Sequence, residues 1–178
     1  MLDILLAHPA ANLVGIVCVV LGATWPLYKT RRGLLWAQAA VHIAFSTHFY
    51  LLGAFTGSIM NALGLGQALA ALPLGKRPGF KIIYLLTLPF IAIGAYLTWQ
   101  GLPSVFSSLA LALFSIARYL SNTLVMRLLM LVAILSWTTH DVLVMSIPGL
   151  GADALSFATS LWMIRTELRM AKTEPAKA

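Results

Sequence analysis

The chain has 178 residues, of which 60% are hydrophobic and only 10% are charged. A typical soluble domain carries about 45–50% apolar and about 25% charged residues, and a chain this short cannot bury the apolar excess in a water-soluble core. Composition therefore excludes an ordinary soluble domain and predicts an integral membrane protein. The length allows about seven spans of roughly 20 residues, which leaves no room for a soluble catalytic domain.

Seven apolar stretches follow one another along the chain, separated by short segments rich in glycine, proline and polar residues. They run over about 10–28, 34–52, 57–74, 82–99, 103–118, 124–145 and 152–168. Most of them are long enough to cross the hydrocarbon core of a bilayer as an α-helix. The pattern predicts an all-α bundle of seven transmembrane spans, with a single transmembrane domain over residues 1–170 and a polar cytoplasmic tail over residues 171–178.

The net charge of +7 has a topological explanation. Seven spans place every lysine and arginine on the same side of the membrane, whereas six spans would divide them between both faces. Because basic residues next to spans stay in the cytoplasm, we expect an N-terminus outside and a C-terminus inside. The expected surroundings are lipid, and nucleic acid is not expected as a partner. The basic residues are Lys29, Arg31, Arg32, Lys76, Arg77, Lys81, Arg118, Arg127, Arg165, Arg169, Lys172 and Lys177.

The chain matches itself when it is shifted by 92 residues, which overlays the second and third spans on the sixth and seventh. Three spans are an odd number, so one linking span is needed to keep the two copies in the same orientation. We therefore predict two parallel three-helix repeats, at about 10–74 and 103–168, joined by a linker helix at about 82–99. The matched pairs are Phe45 with Trp137, Thr47 with Thr139, His48 with His140, Leu51 with Leu143, Gly57 with Gly149, Asn61 with Asp153, Ala62 with Ala154 and Leu63 with Leu155.

Several segments are similar to a known membrane protein family. The stretch 41–53 (VHIAFSTHFYLLG) with the following Asn61, and the later segment around Trp137 and His140, resemble the YgjV family of bacterial inner-membrane proteins. The resemblance also covers Ser146-Ile147 and Ile164-Arg165. It implies a multi-pass protein of a bacterial inner membrane with the fold of that family, but no particular activity.

More distantly, the arrangement of three, one and three spans resembles that of the SWEET and PQ-loop transporters. Pro26 and Leu27 stand where those proteins have a proline-glutamine pair. The resemblance to the SWEET class implies that a third-helix asparagine of each half faces the substrate. Asn61 matches that residue type, and Asp153 departs from it.

Polar side chains inside the predicted spans form the candidate site, because such groups are costly in lipid and usually face a bundle interior or a cavity. His48 and His140 lie in the outer half of the second helix of each repeat, and Asn61 and Asp153 lie early in the third. One interpretation is a polar ring that binds a solute or a proton. The alternative is structural: His48–Asn61 and His140–Asp153 hydrogen bonds that only tie helices together.

Two further pairs of residues extend this candidate site. Phe45 and Trp137 can stack on a ring-shaped solute, although aromatic residues in the middle of a span are more often part of the core. Ser156 and Ser160 follow Asp153 at helical spacing on the seventh span. Small hydroxyl residues on one helix face can line a cavity, or they can allow close approach of a neighbouring helix.

The fifth span carries a similar stripe, composed of Ser104, Ser108, Ser115 and Arg118. We expect the Arg118 side chain to extend to the membrane interface. If it faces a cavity instead, an anionic solute is favoured. His42 and Gln67 also lie inside spans. His42 can carry a proton or form a buried structural hydrogen bond, and Gln67 can bind a ligand or bridge two helices; for both we favour the structural role.

The sequence contains no HExxH, GxSxG, P-loop or dinucleotide-binding pattern, so we expect no enzyme activity, no cofactor, no metal site and no nucleotide-driven step. The leading hypothesis is a carrier of a small polar solute that works by alternating access between the two three-helix units, without ATP. The alternative is a non-transporting membrane receptor or assembly factor on the same scaffold. The sequence leaves open whether the protein forms a homo-oligomer.

A reporter fusion tests the predicted orientation. A fluorescent protein that matures only in the cytoplasm, fused to the C-terminus, should be bright because the basic residues hold that end inside. Alkaline phosphatase, which is active only outside the cytoplasm, should be inactive at the same position. A dark fluorescent fusion that is correctly inserted would contradict the orientation.

Overall fold

The computed structural model describes residues 8–24, 28, 30–74, 77 and 79–173, and in this part of the chain the regular structure consists of seven α-helices without a strand. In chain order they are α1 (Pro9–Thr24), α2 (Arg31–Leu51), α3 (Phe55–Leu74), α4 (Ile82–Leu97), α5 (Leu102–Tyr119), α6 (Thr123–Leu143) and α7 (Ile147–Thr173). The predicted all-α fold with seven helices is confirmed.

Three of the described helices are long and apolar enough to cross a membrane: α3 over Phe55–Pro73, α5 over Leu102–Tyr119 and α6 over Leu124–Leu143. α1 and α4 are apolar but shorter, with 16 residues each, which is about 24 Å at 1.5 Å per residue. α2 and α7 are longer, with 21 and 27 residues, but carry more polar side chains. The membrane nature of the protein is established by this composition, and the count of seven spans stays a prediction.

The last helix differs from the predicted span at both ends. It begins at Ile147 rather than near residue 152, because Pro148 occupies the first turn, where its missing N–H removes no helical bond. The Ser146 hydroxyl caps this end by accepting a hydrogen bond from the Gly149 amide at 3.1 Å. The helix then continues to Thr173 and so includes the first residues of the predicted tail; residues 174–178 lie outside the described part.

The helices pack in two groups of three with α4 beside them. α2 lies between α1 and α3 in one group, and α6 lies between α5 and α7 in the other; the groups meet where α1 contacts α7 and where α3 contacts α5. α3 and α5 are parallel, because Thr56 bonds Ser104 near their starts and Gln67 bonds Ser115 near their ends. α1 and α7 are also parallel, because Gly15 lies against Pro148 near the start of α7 and Gly22 lies against Ala152 further along it. The linker helix α4 packs against α3 and α5.

This arrangement gives the bundle two chemically different ends. At one end α2, α4 and α6 begin and α5 and α7 finish; we call it the basic end. The described basic residues gather there: Arg31, Arg32, Arg77, Lys81, Arg118, Arg127, Arg165 and Arg169. The opposite end carries His48, His140, Asp141 and Asp153. The charge separation agrees with the predicted topology, while the orientation in the membrane itself stays a prediction.

Local geometry recurs at the predicted offset of 92 residues. α2 and α6 have the same length and start and finish 92 residues apart. Each is capped by a polar side chain, Thr30 or Asn122, that accepts a bond from the amide three residues later. After each helix one residue has a positive φ, 75° at Gly53 and 54° at Met145. These matches support a repeat at the level of local structure. That the two whole three-helix units superpose stays a prediction.

Two glycines of α3 make a matched test of this packing. A β-carbon added at Gly64 would lie 2.5 Å from Cε1 of His42, whereas one added at Gly66 would meet nothing within 4 Å. Gly64→Ala should therefore destabilise the protein by about 1–3 kcal/mol through overpacking, and Gly66→Ala should be neutral or stabilise it by up to about 1 kcal/mol. Thermal unfolding in detergent measures both. Equal midpoints for the two variants would contradict the packing of α2 on α3.

Candidate functional site: a buried histidine and carboxylate cluster

Aromatic rings join the two repeat-related histidines at the end opposite the basic residues. His48 of α2 and His140 of α6 are both fully buried. The Phe49 ring contacts both, with centroid distances of 5.3 Å to His48 and 4.9 Å to His140. Trp137 stacks on Phe49 at 5.7 Å and meets His140 at 5.2 Å. Phe45 completes the cluster, 5.8 Å from Phe49.

The two histidines were predicted to share one region, and both contact the Phe49 ring. Phe49 was not among the predicted site residues, although its position next to His48 was a usable signal. Phe45 and Trp137 are half-buried and make ring contacts within the bundle.

His48 is satisfied at both ring nitrogens. Its Nδ1 lies 2.7 Å from the Ala11 carbonyl oxygen, which can only accept, so Nδ1 carries a hydrogen and donates it. In the neutral ring, Nε2 then accepts from the Ser146 hydroxyl at 2.8 Å. Ser146 in turn accepts from the Gly149 amide. His48 thus fastens α1 and α7 to α2, and its predicted part in solute binding stays a prediction.

His140 has the same position in its own helix, but only one nitrogen is paired. Nδ1 lies 3.0 Å from Oδ1 of Asp141, while Nε2 is buried and has no hydrogen-bond partner among the described residues. That nitrogen faces Gly57 at the start of α3, where an added β-carbon would lie 2.7 Å away. The residue 92 positions before Ser146 is Ala54, whose methyl group cannot form the bond that His48 makes.

Two carboxyl groups lie at this end of the bundle. Asp141 is 2% exposed and contacts the His140 ring directly. Asp153, on α7, interacts with Asp141 and with the Thr138 side chain. Its Oδ2 is buried without a partner among the described residues. Sequence reasoning chose Asp153 and left Asp141 out of the site, although Asp141 directly follows His140 in the chain.

Asn61 and the two serines of α7 are placed differently. Asn61 is buried and bonds His42 at 3.1 Å and the Gly57 carbonyl at 3.0 Å. The structural alternative paired Asn61 with His48, but the partner of Asn61 on α2 is His42. The expected structural hydrogen bond of His42 is therefore confirmed. Gly57 thus contacts both residues: its carbonyl accepts the hydrogen bond of Asn61, and its Cα faces the His140 ring. Ser156 and Ser160 are half-buried one and two turns beyond Asp153.

The serine stripe of α5 mainly joins helices. Ser104 lies 2.7 Å from the Thr56 hydroxyl, and Ser115 accepts a 2.7 Å bond from Gln67. Both serines are fully buried. Gln67 also accepts from Arg118 at 2.6 Å, so the predicted bridging role of Gln67 is confirmed.

The cluster of His140, Asp141 and Asp153 has the chemistry of a proton or polar-solute site. Its members are an imidazole and two carboxyl groups, side chains that can hold a proton or hydrogen-bond a polar ligand. Within the described residues no group of three His, Cys, Asp or Glu side chains is arranged to hold a metal ion. His140 is fully buried, so its ring does not contact solvent in this structure.

The match to a protein family covers all seven helices. The model of the family Imp-YgjV, described as a bacterial inner membrane protein, matches residues 9–173. A search of curated proteins and a search of solved structures each found no match. The predicted YgjV resemblance is confirmed, and the more distant likeness to SWEET and PQ-loop transporters stays a prediction. The chain belongs to the Imp-YgjV family of bacterial inner membrane proteins.

Proposed function

We propose that this protein is a small-solute carrier that works by alternating access, without ATP, and binds a proton with its solute at His140, Asp141 and Asp153. The observation that carries the proposal is the pair of buried atoms, His140 Nε2 and Asp153 Oδ2, without a partner among the described residues. Each such atom is unfavourable by about 1–3 kcal/mol. Two of them in one cluster support a site that a ligand or proton completes.

The position of the cluster supports alternating access. His140 and Asp141 belong to α6 and Asp153 to α7, whereas Gly57, which faces the His140 ring, belongs to α3 of the other group. The cluster therefore lies where the two three-helix groups meet. Full burial of His140 corresponds to an occluded state, and separation of the groups at this end would open the cluster to one side.

The contrast with His48 supports a functional role for His140. The two residues occupy matching positions, yet the bundle supplies both partners to His48 and only one to His140. A purely structural pair would be expected to be satisfied at both sites, because unpaired polar atoms are costly in lipid.

The alternative function is a non-transporting membrane receptor or assembly factor on the same scaffold. It predicts that the protein moves no solute in a purified system, and that changes at the cluster alter stability alone. Transport and stability therefore have to be measured on the same variants.

The predicted effect of Asp153→Asn is the loss of proton coupling with normal insertion. The experiment uses purified protein in liposomes that enclose a pH-sensitive dye, challenged with a panel of dicarboxylates, amino acids, sugars and polyamines. At least one solute should drive internal acidification by the wild type. Asp153→Asn should move that solute without pH dependence, because the amide cannot carry the proton. His140→Ala should weaken solute binding by about 1–2 kcal/mol through loss of one hydrogen bond.

Asp153→Glu is the matched control, because it keeps the carboxyl group, and it should retain pH dependence. Empty liposomes correct for solutes that cross lipid unaided. If Asp153→Asn and His140→Ala lower the thermal midpoint but leave flux and its pH dependence unchanged, the cluster is structural and the carrier proposal loses its site.

A further inference from the structure

Arg118 points into the bundle from the last turn of α5. Its Nη1 donates a 2.6 Å hydrogen bond to Oε1 of Gln67 on α3, and its guanidinium lies 5.6 Å from the centre of the Phe114 ring. It also interacts electrostatically with His42 of α2 and Tyr84 of α4. The side chain is half-buried, and its hydrogen bond and ring contact hold the guanidinium against α3 and α5. Its predicted extension to the membrane interface stays a prediction.

No described carboxylate balances this charge. The described acidic side chains that the bundle buries, Asp141 and Asp153, lie at the opposite end, and among the described side chains Arg118 takes part in no ion pair. Charged side chains that a membrane bundle partly buries usually mark the path of a substrate or ion. Arg118 is half-buried and has no counter-ion among the described side chains, so a ligand can supply one.

A cleft of about 820 Å³ opens at the basic end; Tyr119, the residue after Arg118, is part of its lining, whereas Arg118 itself is not. Lys81, three residues before Tyr84, also lines the cleft. Arg77 contributes a second cation. Cations at the mouth of a cleft concentrate anions there, and the volume lies within the range of small-molecule sites.

We propose that Arg118, held by Gln67, binds the carboxylate or phosphate group of an anionic solute that enters through this cleft. A guanidinium has five N–H donors in a planar fork that fits such groups in a two-point contact. Among the described residues, Gln67 is the one acceptor that Arg118 uses, so the remaining donors serve the ligand. The proposal names the charge class of the solute and rests on the proposed carrier function for transport, but not for binding.

The test measures binding without transport. Purified full-length protein in neutral detergent with phosphatidylcholine is titrated with citrate, succinate or inorganic phosphate, against chloride at matched ionic strength and against glucose and spermidine. Thermal unfolding reports binding. At least one of the three anions should raise the midpoint of the wild type in a saturable way, and glucose and spermidine should not.

Two variants and one control decide the assignment. Arg118→Gln should weaken the anion effect at least about tenfold, since it removes charge-assisted bonds. Gln67→Glu keeps Arg118 but places a carboxylate on it, and should weaken anion binding to a similar degree without loss of the fold. Arg165→Gln, which removes an exposed cation of α7 at the same end, should bind as the wild type does.

Several outcomes would overturn the proposal. One is an anion effect that survives both Arg118→Gln and Gln67→Glu. Another is the absence of any effect from the three anions. A third is stabilisation by anionic phosphatidylglycerol alone, lost in Arg118→Gln, which would make Arg118 a lipid headgroup site. Anion binding without flux in liposomes would leave this site in place and count against the carrier function only, and Asp153→Asn should still bind the anion.

Discussion

Hydrocarbon offers no hydrogen-bond partner to a polar side chain, and this constraint accounts for much of how the seven helices are joined. His48 and Ser146 fasten α1 and α2 to α7. On the other side of the bundle, Thr56 with Ser104 and Gln67 with Ser115 and Arg118 fasten α3 to α5. Polar pairs that the bundle itself satisfies thus join the three-helix groups on two sides, beside the aromatic contacts of Phe49 with Trp137 and His140.

Two exceptions to this pairing lie at opposite ends of the bundle and differ in charge. His140 and Asp153 hold buried atoms without a partner among the described residues at one end, and Arg118 has no ion-pair partner among the described side chains at the other. In our account, an anion taken up with a proton moves less net charge than the anion alone, so its transfer through the low-dielectric bundle is less unfavourable. The proposed proton site at His140 and Asp153 and the proposed anion site at Arg118 therefore belong to one proposed process, the transfer of an anion together with a proton.

The helices and their number were predictable because apolar runs between breakers determine them, and α2 and α6 end where the runs end. Side-chain partners were not predictable, because they depend on how a helix is rotated about its axis. His42 and His48 are six residues apart, about 240° around the helix at 100° per residue. His42 therefore meets Asn61 on α3, while His48 faces α1 and α7. The role of Asp141 was hidden for the same reason.

The most direct test of the account is Ala54→Ser, which introduces at the start of α3 the hydroxyl that Ser146 supplies at the start of α7. The new hydroxyl should pair with His140 Nε2 and cap α3, raising stability by about 1 kcal/mol. Because that nitrogen is then occupied, solute-driven proton uptake in liposomes should fall sharply. A stabilised protein with undiminished uptake, or a protein without stabilisation, would contradict the claim that the unpaired nitrogen of His140 is the functional group.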